Sequence, residues 1–470
     1  MSIQIETQVL VLGSGPGGYS AAFRCADLGI NTILVERYPN LGGVCLNVGC
    51  IPSKALLHIS KLIQTNSDLN EFNISKNITN IQLDINKIRL WKNDIIKKLS
   101  NNLNSIATAK RNIKIIYGFG TFINKHTLQV SCDKEIIKVI FDYAIIATGS
   151  HPTSLPFSPN DHRIWNSTDA LELKFIPEKL LIIGSGAIGL EMSTVYHSLG
   201  SKVDLMEASD QIMPILDKDI INLFSKNLIK KSINCTVNTQ VHAFNSKPNG
   251  IDVITTNKLD PNTKKTHRYD AVLIAIGRFP NSKELNLDGI GIQTNKNGFI
   301  SVDKQMRTNI SNIFAIGDIV GNPMLAHKSI HEGHIVSEVI SGKKYYFDST
   351  VIPGVIYSDP EIAWVGYTEK EAQTKNIKYA SVTFPWNSLG KAITSNYTEG
   401  ITKLIFDKNT HRIIGGSVIG LHASEIIGEI ALAIEMGCDV EDITLTIHAH
   451  PTLYESIELA ASIYNKSINT

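Results

Sequence analysis

The chain has 470 residues, too many for one hydrophobic core, so about two to four domains are expected. Hydrophobic residues make up 43%, charged residues 19%, and the formal net charge is +1. This is an ordinary globular composition, without the basic excess that nucleic acid or an anionic membrane surface would select, and no apolar run approaches the roughly 18 residues of a bilayer span.

The first expected element is a buried strand. Gln8-Val9-Leu10-Val11-Leu12 runs straight into a glycine turn, with no basic segment or cleavage site before it. No export or transit signal is read, and a cytoplasmic location is expected. The turn Gly13-Ser14-Gly15-Pro16-Gly17-Gly18 opens an alanine-rich helix, and a second strand, Thr32-Ile33-Leu34-Val35, ends at Glu36. The same unit returns later: Leu180-Leu181-Ile182-Ile183 leads into Gly184-Ser185-Gly186-Ala187-Ile188-Gly189, then a helix, then Lys202–Met206 ending at Glu207. Gly13 returns as Gly184, Gly18 as Gly189 and Glu36 as Glu207, each 171 positions on.

In such a unit the first glycine allows a tight turn, the second lets a pyrophosphate approach the backbone, and the third lets helix and strand pack closely. The phosphates then sit on the positive end of the helix. A carboxylate about 18 residues further on, at the tip of the second strand, can accept from ribose hydroxyls. One such turn is weak evidence, because glycine-rich turns are common. Two copies, each between strand and helix and each with its carboxylate, predict two dinucleotides in two domains, one held tightly and one exchanging. Glu207 would repel a 2′-phosphate, and Ala208-Ser209-Asp210-Gln211 supplies no cation, so NAD is expected rather than NADP.

Of the six cysteines, Cys25, Cys132, Cys235 and Cys438 read as reduced, buried thiols. Cys45 and Cys50 stand apart, in Gly42-Gly43-Val44-Cys45-Leu46-Asn47-Val48-Gly49-Cys50-Ile51-Pro52-Ser53-Lys54. No second Cys or His pair follows at zinc spacing, so no metal is expected. Pro52 suits a first helical turn, and a thiolate near a helix N-terminus has a lowered pKa. A disulfide between the two would close a small loop and be open to exchange. Two unrelated core thiols are the alternative, and the flanking glycines and nearby dinucleotide turn argue against it.

On these residues the sequence resembles the class I pyridine nucleotide-disulfide oxidoreductases, from about residue 5 to residue 465. The stretch Gly42 to Lys54 resembles the redox loop of the bacterial members that oxidise dihydrolipoyl groups. Ala147-Thr148-Gly149-Ser150 resembles the segment leaving the FAD domain, and Ala275-Ile276-Gly277-Arg278 with Pro280-Asn281 the return strand. Phe314-Ala315-Ile316-Gly317-Asp318 resembles the second FAD motif, and Met324-Leu325-Ala326-His327-Lys328 the segment passing under the flavin. His450-Pro451-Thr452 with Glu455 resembles the family's catalytic base and its carboxylate partner. His448 matches no catalytic position and reads as structural. His151 departs from the pattern, since relatives often carry arginine there, and reads as peripheral.

The resemblance implies an α/β fold: two Rossmann-like dinucleotide-binding domains of the glutathione-reductase-like type and a C-terminal α+β dimerisation domain. The expected bounds are 1–147 (FAD, first part), 148–278 (NAD), 279–348 (FAD or central) and 349–470 (interface). The stretch from about 60 to 110 resembles a pair of long helices. The implied cofactors are FAD and NAD, contacted by Gly13, Gly15, Gly18, Glu36, Lys54, Gly118, Thr148, Gly149, Gly184, Gly186, Gly189, Glu191, Glu207, Val241, Gly277, Arg278, Asp318 and Ala326. The implied catalytic set is Cys45 and Cys50, joined as a disulfide in the oxidised enzyme, with His450 and Glu455 from the other subunit of a homodimer. Glu191 is expected near the nicotinamide, paired with Lys54. The implied reaction is oxidation of protein-bound dihydrolipoyl groups by NAD. The implied partners are the lipoyl domains and E2 core (or E1 and E2) of 2-oxoacid dehydrogenase complexes, with glycine cleavage also served.

Three rivals are weighed on the same residues. A glutathione reductase would use NADPH, against Glu207. A mercuric reductase would carry an extra cysteine pair in its last 30 residues, and none is there. A structural subunit that lost the chemistry would have lost Cys45, Cys50 or His450, and all three are present.

Overall fold

The computed structural model describes residues 3–71 and 83–470. The first sheet has seven strands, in the order Lys114–Tyr117, Thr32–Glu36, Ile3–Leu12, Ile136–Ile146, Thr127–Ser131, Phe119–Asn124. Ile313–Ala315 adds in parallel to the end of Ile136–Ile146, so the chain leaves this layer and returns to it from far downstream. Its central strand shows why it forms: Val9, Leu10 and Val11 are wholly buried, as expected for a parallel strand covered on both faces. Helices Pro16–Asp27 and Ala326–Ile340 lie side by side against it.

A second, five-stranded sheet is parallel throughout: Asn234–Thr236, Lys202–Met206, Lys179–Ile183, Ala271–Ile274 and Ile164–Trp165. An antiparallel sheet, Thr239–Lys247, Gly250–Asn257 and Asp260–Tyr269, covers it. On its flank, helix Lys218–Lys230 buries Ile220, Ile221, Phe224 and Leu228, an amphipathic spacing. Among the described residues, the strands that pair between the two units are Ser150–Pro152 and Arg278–Pro280, set antiparallel. His151 stands on this link opposite Phe279, its Nδ1 2.7 Å from Asn281 Oδ1.

The C-terminal sheet is antiparallel, in the order Gly354–Ile356, Glu361–Gly366, Ile413–Gly420, Ile401–Asp407, Tyr379–Pro385. Helices Ala423–Met436 and Glu455–Asn469 pack on it. Trp386 is its largest fully buried side chain; Gly400 and Gly420 stand where any Cβ would strike the indole. Two long helices, Cys50–Glu71 and Ile85–Ser105, lie in the chain between strands Thr32–Glu36 and Lys114–Tyr117 of the first sheet; residues 72–82, between them, lie outside the described residues. No helix among the described residues is long and apolar enough to cross a membrane.

Candidate active site

The two glycine turns repeat in three dimensions. Gly13 has φ +101° and Gly184 φ +99°, the left-handed region that only glycine enters freely. A Cβ on Gly13 would lie 2.5 Å from Ala147 O, and one on Gly184 2.5 Å from Ala275 O. Gly18 and Gly189 touch the carbonyls of Gly13 and Gly184 too closely for any side chain. Around Gly15 and Gly186, by contrast, a Cβ would meet nothing within 4 Å. That open space in front of a helix N-terminus is what a pyrophosphate requires, so both turns fit a dinucleotide.

The strand-tip carboxylates repeat as well. Glu36 Oε2 accepts the Ser14 N–H at 2.9 Å, and Glu207 Oε2 accepts that of Ser185 at 2.9 Å. Their second oxygens accept from Tyr38 N–H at 2.9 Å and Ser209 N–H at 2.8 Å. Partial burial raises the Glu207 carboxyl, and the donors from Ser209 and Ser185 outweigh it, holding the group below the usual range. Glu207 is thus held as an anion at the strand tip. Gly118 donates its N–H to Glu36 O at 2.8 Å, and Val241 is buried at a bulge in the sheet over the second unit.

The redox segment is more helical than a loop. Gly43–Val48 and Cys50–Glu71 are helices, broken only at Gly49. Cys45 sits in the short helix and Cys50 opens the long one, with Pro52 in its first turn. Both are free thiols here. The neighbouring Cys45 thiol pulls the Cys50 pKa down most, and the Lys54 charge lowers it further, against desolvation and the Glu191 charge, to about 7. The proximity of Cys50, with burial, pushes Cys45 well above the usual thiol range. The segment is seated on the first glycine turn. Gly42 N–H donates to Ser14 O at 3.0 Å, and a Cβ on Gly43 would lie 2.6 Å from Gly15 Cα.

Lys54 Nζ lies 2.9 Å from both Glu191 oxygens. Glu191 is 5% exposed, so the pair joins the redox helix to the helix of the second glycine turn. Tyr357 completes the cluster: its N–H donates to Glu191 at 3.2 Å and its ring lies 4.3 Å from Lys54 Nζ. Burial, Cys45 and Cys50 raise the Tyr19 hydroxyl, which places it in the field of both sulfurs.

The link strands meet the first unit at a polar chain. Arg278 Nε donates to Ser150 Oγ at 2.7 Å, and Ser150 Oγ donates to Asp318 Oδ2 at 2.5 Å. Thr148 exchanges bonds with Asn281, whose N–H donates to Gly149 O at 3.0 Å. Gly149 and Gly277 both have positive φ. Ala326 opens the long helix to Ile340, whose buried Glu332 accepts the Gly317 N–H at 2.7 Å and pairs with Lys328.

His450 lies elsewhere on its own chain, on the C-terminal unit, with 78% of its side chain exposed. Its Nδ1 is 2.7 Å from Glu455 Oε1, and Glu455 Oε2 accepts the Thr452 N–H at 2.6 Å. Burial raises Glu455, but Thr452 and His450 outweigh it and keep the carboxylate ionised. An anion on Nδ1 favours the tautomer whose lone pair is on Nε2, and Nε2 bonds none of the described residues. His448, four-per-cent exposed in its side chain, bonds Glu429 at 2.7 Å and Thr446 O at 2.9 Å, a structural histidine. Ser14, Ser185, Tyr19, Tyr357 and the Lys328–Glu332 pair were not singled out in the sequence. The two serines repeat at one position of both turns and could have been; Tyr357 carries no local signal. Of the four cysteines expected buried, only Cys25 is; Cys132, Cys235 and Cys438 are partly exposed at the edges of their units. No cluster of metal-ligating side chains occurs among the described residues.

Residues 7–333 match the pyridine nucleotide-disulphide oxidoreductase family, and residues 352–461 match its dimerisation domain. The chain is 56% identical to a dihydrolipoyl dehydrogenase of Vibrio parahaemolyticus and 55% to one of Vibrio cholerae, covering 100% of this chain and 98% of each relative. One of Haemophilus influenzae is 53% identical over 100% of this chain and 97% of that one. Among solved structures, the HOCl-induced flavoprotein disulfide reductase RclA of Escherichia coli superposes with TM-score 0.86 at 27% identity, covering 97% of this chain and 99% of that one. LpdA of Mycobacterium tuberculosis shares the fold, at TM-score 0.87 and 24% identity over 97% and 99%. The chain belongs to the pyridine nucleotide-disulphide oxidoreductase family, among its dihydrolipoyl dehydrogenases. It is an oxidoreductase that works with FAD and NAD.

Proposed function

We propose that this chain oxidises protein-bound dihydrolipoyl groups to lipoyl disulfide and reduces NAD, through a Cys45–Cys50 disulfide. The observation that carries this is the seating of the redox helices on the first glycine turn, with Gly43 against Gly15 and Gly42 bonded to Ser14. It supports a pair of sulfurs working beside the first dinucleotide turn, while Lys54–Glu191 ties them to the second turn. We assign the first turn, with Gly118, Thr148, Gly149, Gly277, Arg278, Asp318 and Ala326, to FAD. The second turn, with Glu191, Glu207 and Val241, we assign to NAD.

The site is built between two copies of the chain. A dihydrolipoyl thiol loses its proton to Nε2 of a His450 contributed by the other subunit, and Glu455 balances the new imidazolium charge. The substrate thiolate forms a bond to Cys45 Sγ as the Cys45–Cys50 bond breaks, and Cys50 leaves as a thiolate. A stabilised thiolate is a good leaving group, and the Lys54 charge, which lowers the Cys50 pKa, supplies that stabilisation as Cys50 departs. The second substrate thiol loses its proton and attacks the sulfur bonded to Cys45, giving lipoyl disulfide and a Cys45 thiolate that takes up a proton. FAD, when bound, carries the electron pair from the sulfurs to NAD. The chain's own residues hold the sulfurs, place the charges and move the protons.

The partners of this reading are a second copy of the chain and the lipoyl domains and E2 core of a 2-oxoacid dehydrogenase complex, with glycine cleavage as a further user. The setting is the cytoplasm. The test is to mix FAD-loaded protein with dihydrolipoamide and NAD and follow NADH, with NADP and glutathione controls. Fast NADH formation with NAD alone supports the reading. Inactivity of flavin-loaded protein sinks it, and turnover with glutathione and NADPH would replace it with a glutathione-reductase-like activity.

A further inference from the structure

A second charge cluster lies outside the site, where the second dinucleotide unit meets the C-terminal sheet. Lys403, on strand Ile401–Asp407, is 1% exposed and ion-pairs with three carboxylates: Asp217 at 3.0 Å, Asp219 at 2.8 Å, and Glu369. Two come from the second unit and one from the C-terminal unit. Asp217 is the N-cap residue of helix Lys218–Lys230, yet its side chain makes no capping bond to that helix. It accepts instead the backbone N–H of Glu369, at 3.1 Å, at the start of helix Glu369–Thr374. An N-cap aspartate ordinarily bonds its own first turn; here it is spent on the neighbouring unit. Glu369 also accepts from the Tyr379 hydroxyl at 2.9 Å. Burial works against the Lys403 charge, but the carboxylates outweigh it and hold the ammonium above the usual lysine range. The far end of the same helix is fastened too: Lys231 Nζ donates to Asp359 O at 2.8 Å, and Lys230 pairs with Glu399.

The chain just before this helix joins it to Glu207. Residues 208–217 leave Glu207 directly and carry no regular secondary structure. They end at Asp217, with Ile212, Met213 and Leu216 buried beneath. Glu207 itself is held by donors at Ser185 and Ser209, so the strand tip and the Lys403 cluster anchor the two ends of one short segment.

We propose that Lys403 is a positioning residue for the NAD site: by fixing Asp217 and Asp219 to the C-terminal unit, it sets the segment that places Glu207 against the adenine-side ribose. The inference rests on the proposed assignment of the second turn to NAD. It separates two roles of the C-terminal unit, which then supplies His450 to one reaction and orders the cosubstrate site of its own chain for the other.

The test uses the FAD-loaded full-length protein with Lys403→Met, which keeps the stem and removes the charge, and the milder Asp219→Asn, whose side chain is 43% exposed. The NAD KM should rise roughly fivefold in Lys403→Met, the lower end of the range typical of coupling between sites, and less in Asp219→Asn. kcat at saturating NAD and the rate of flavin reduction by dihydrolipoamide should stay within about twofold of the parent, the pattern of lost uniform binding. Lys403→Arg should restore part of the NAD affinity. NADH-driven ferricyanide reduction needs no thiol substrate, so its KM for NADH reports on this proposal even if the lipoyl reading fails. If Lys403→Met fails to fold, Asp219→Asn and Lys403→Arg carry the comparison. A lowered melting temperature with unchanged KM for NAD and NADH, or equal losses in flavin reduction and NAD affinity, would overturn the proposal.

Discussion

The two glycine turns agree in backbone and carboxylate geometry and differ in what covers them. Over the first, the redox helix lies on Ser14 and Gly15, and helix Ala326–Ile340 closes in until Gly333 meets Gly17 at backbone distance. Over the second, no segment among the described residues bonds Ser185 O, and Ile188 stands where the first turn has Gly17. Glu36 is 5% exposed, while Glu207 is only half-buried. Under the proposed assignment, one motif serves a permanent cofactor in its covered copy and an exchanging one in its open copy. The difference lies in the chain that folds back over it, which is why residues 313–348 return to the first sheet.

The sharpest way to break that comparison is to close each turn in turn. Gly18→Ala puts a methyl into the Gly13 carbonyl, and Gly189→Ala does the same at Gly184. We expect the first variant to purify without flavin. The second should keep its flavin spectrum and its reduction by dihydrolipoamide while NAD use falls on the order of a hundredfold. Flavin loss in both would erase the distinction.

The next effect in size concerns the group that serves the covered turn from outside its own unit. His450→Gln should lower turnover about 10²–10⁴-fold, with NADH-driven ferricyanide reduction unchanged. An equal loss in both assays would place His450 on the wrong side of the flavin.

Smaller still is the carboxylate of the open turn. Glu207→Gln removes the charge proposed to accept from a ribose, and the NAD KM should rise about tenfold while discrimination against NADP narrows. A KM indistinguishable from the parent would leave Glu207 without a ligand role.

The subtlest test is by pH. The folded Cys50 thiol is held near 7 rather than 9.0, so its thiolate forms above about pH 7 and is protonated below it. Ultraviolet thiolate absorbance of the dithiol form should show that step, and Lys54→Met should move it upward. A first ionisation at the ordinary thiol value in the parent would contradict the electrostatics described.

The parts legible in the sequence were those whose requirement is local. A turn that only glycine can make announces itself wherever it occurs, and its repetition 171 residues on made the two-site reading. The expected Lys54–Glu191 pair also stands in the structure, although it spans 137 residues; that expectation came from family resemblance, as did the roles of His450 and Glu455. Tyr357 and the Lys403 cluster were invisible because their meaning lies in partners from other units. A lysine in a strand reads as solvent-facing until three carboxylates are brought to it. The helical form of Gly43–Val48 was hidden by its glycines, which mark the ends of a short helix here rather than an open loop.

The most direct test of the contrast between the turns is to load the protein with both cofactors and pass it through a desalting column. Flavin should emerge with the protein at about one per chain and NAD should elute separately; flavin left behind, or NAD retained as firmly as flavin, would contradict the account.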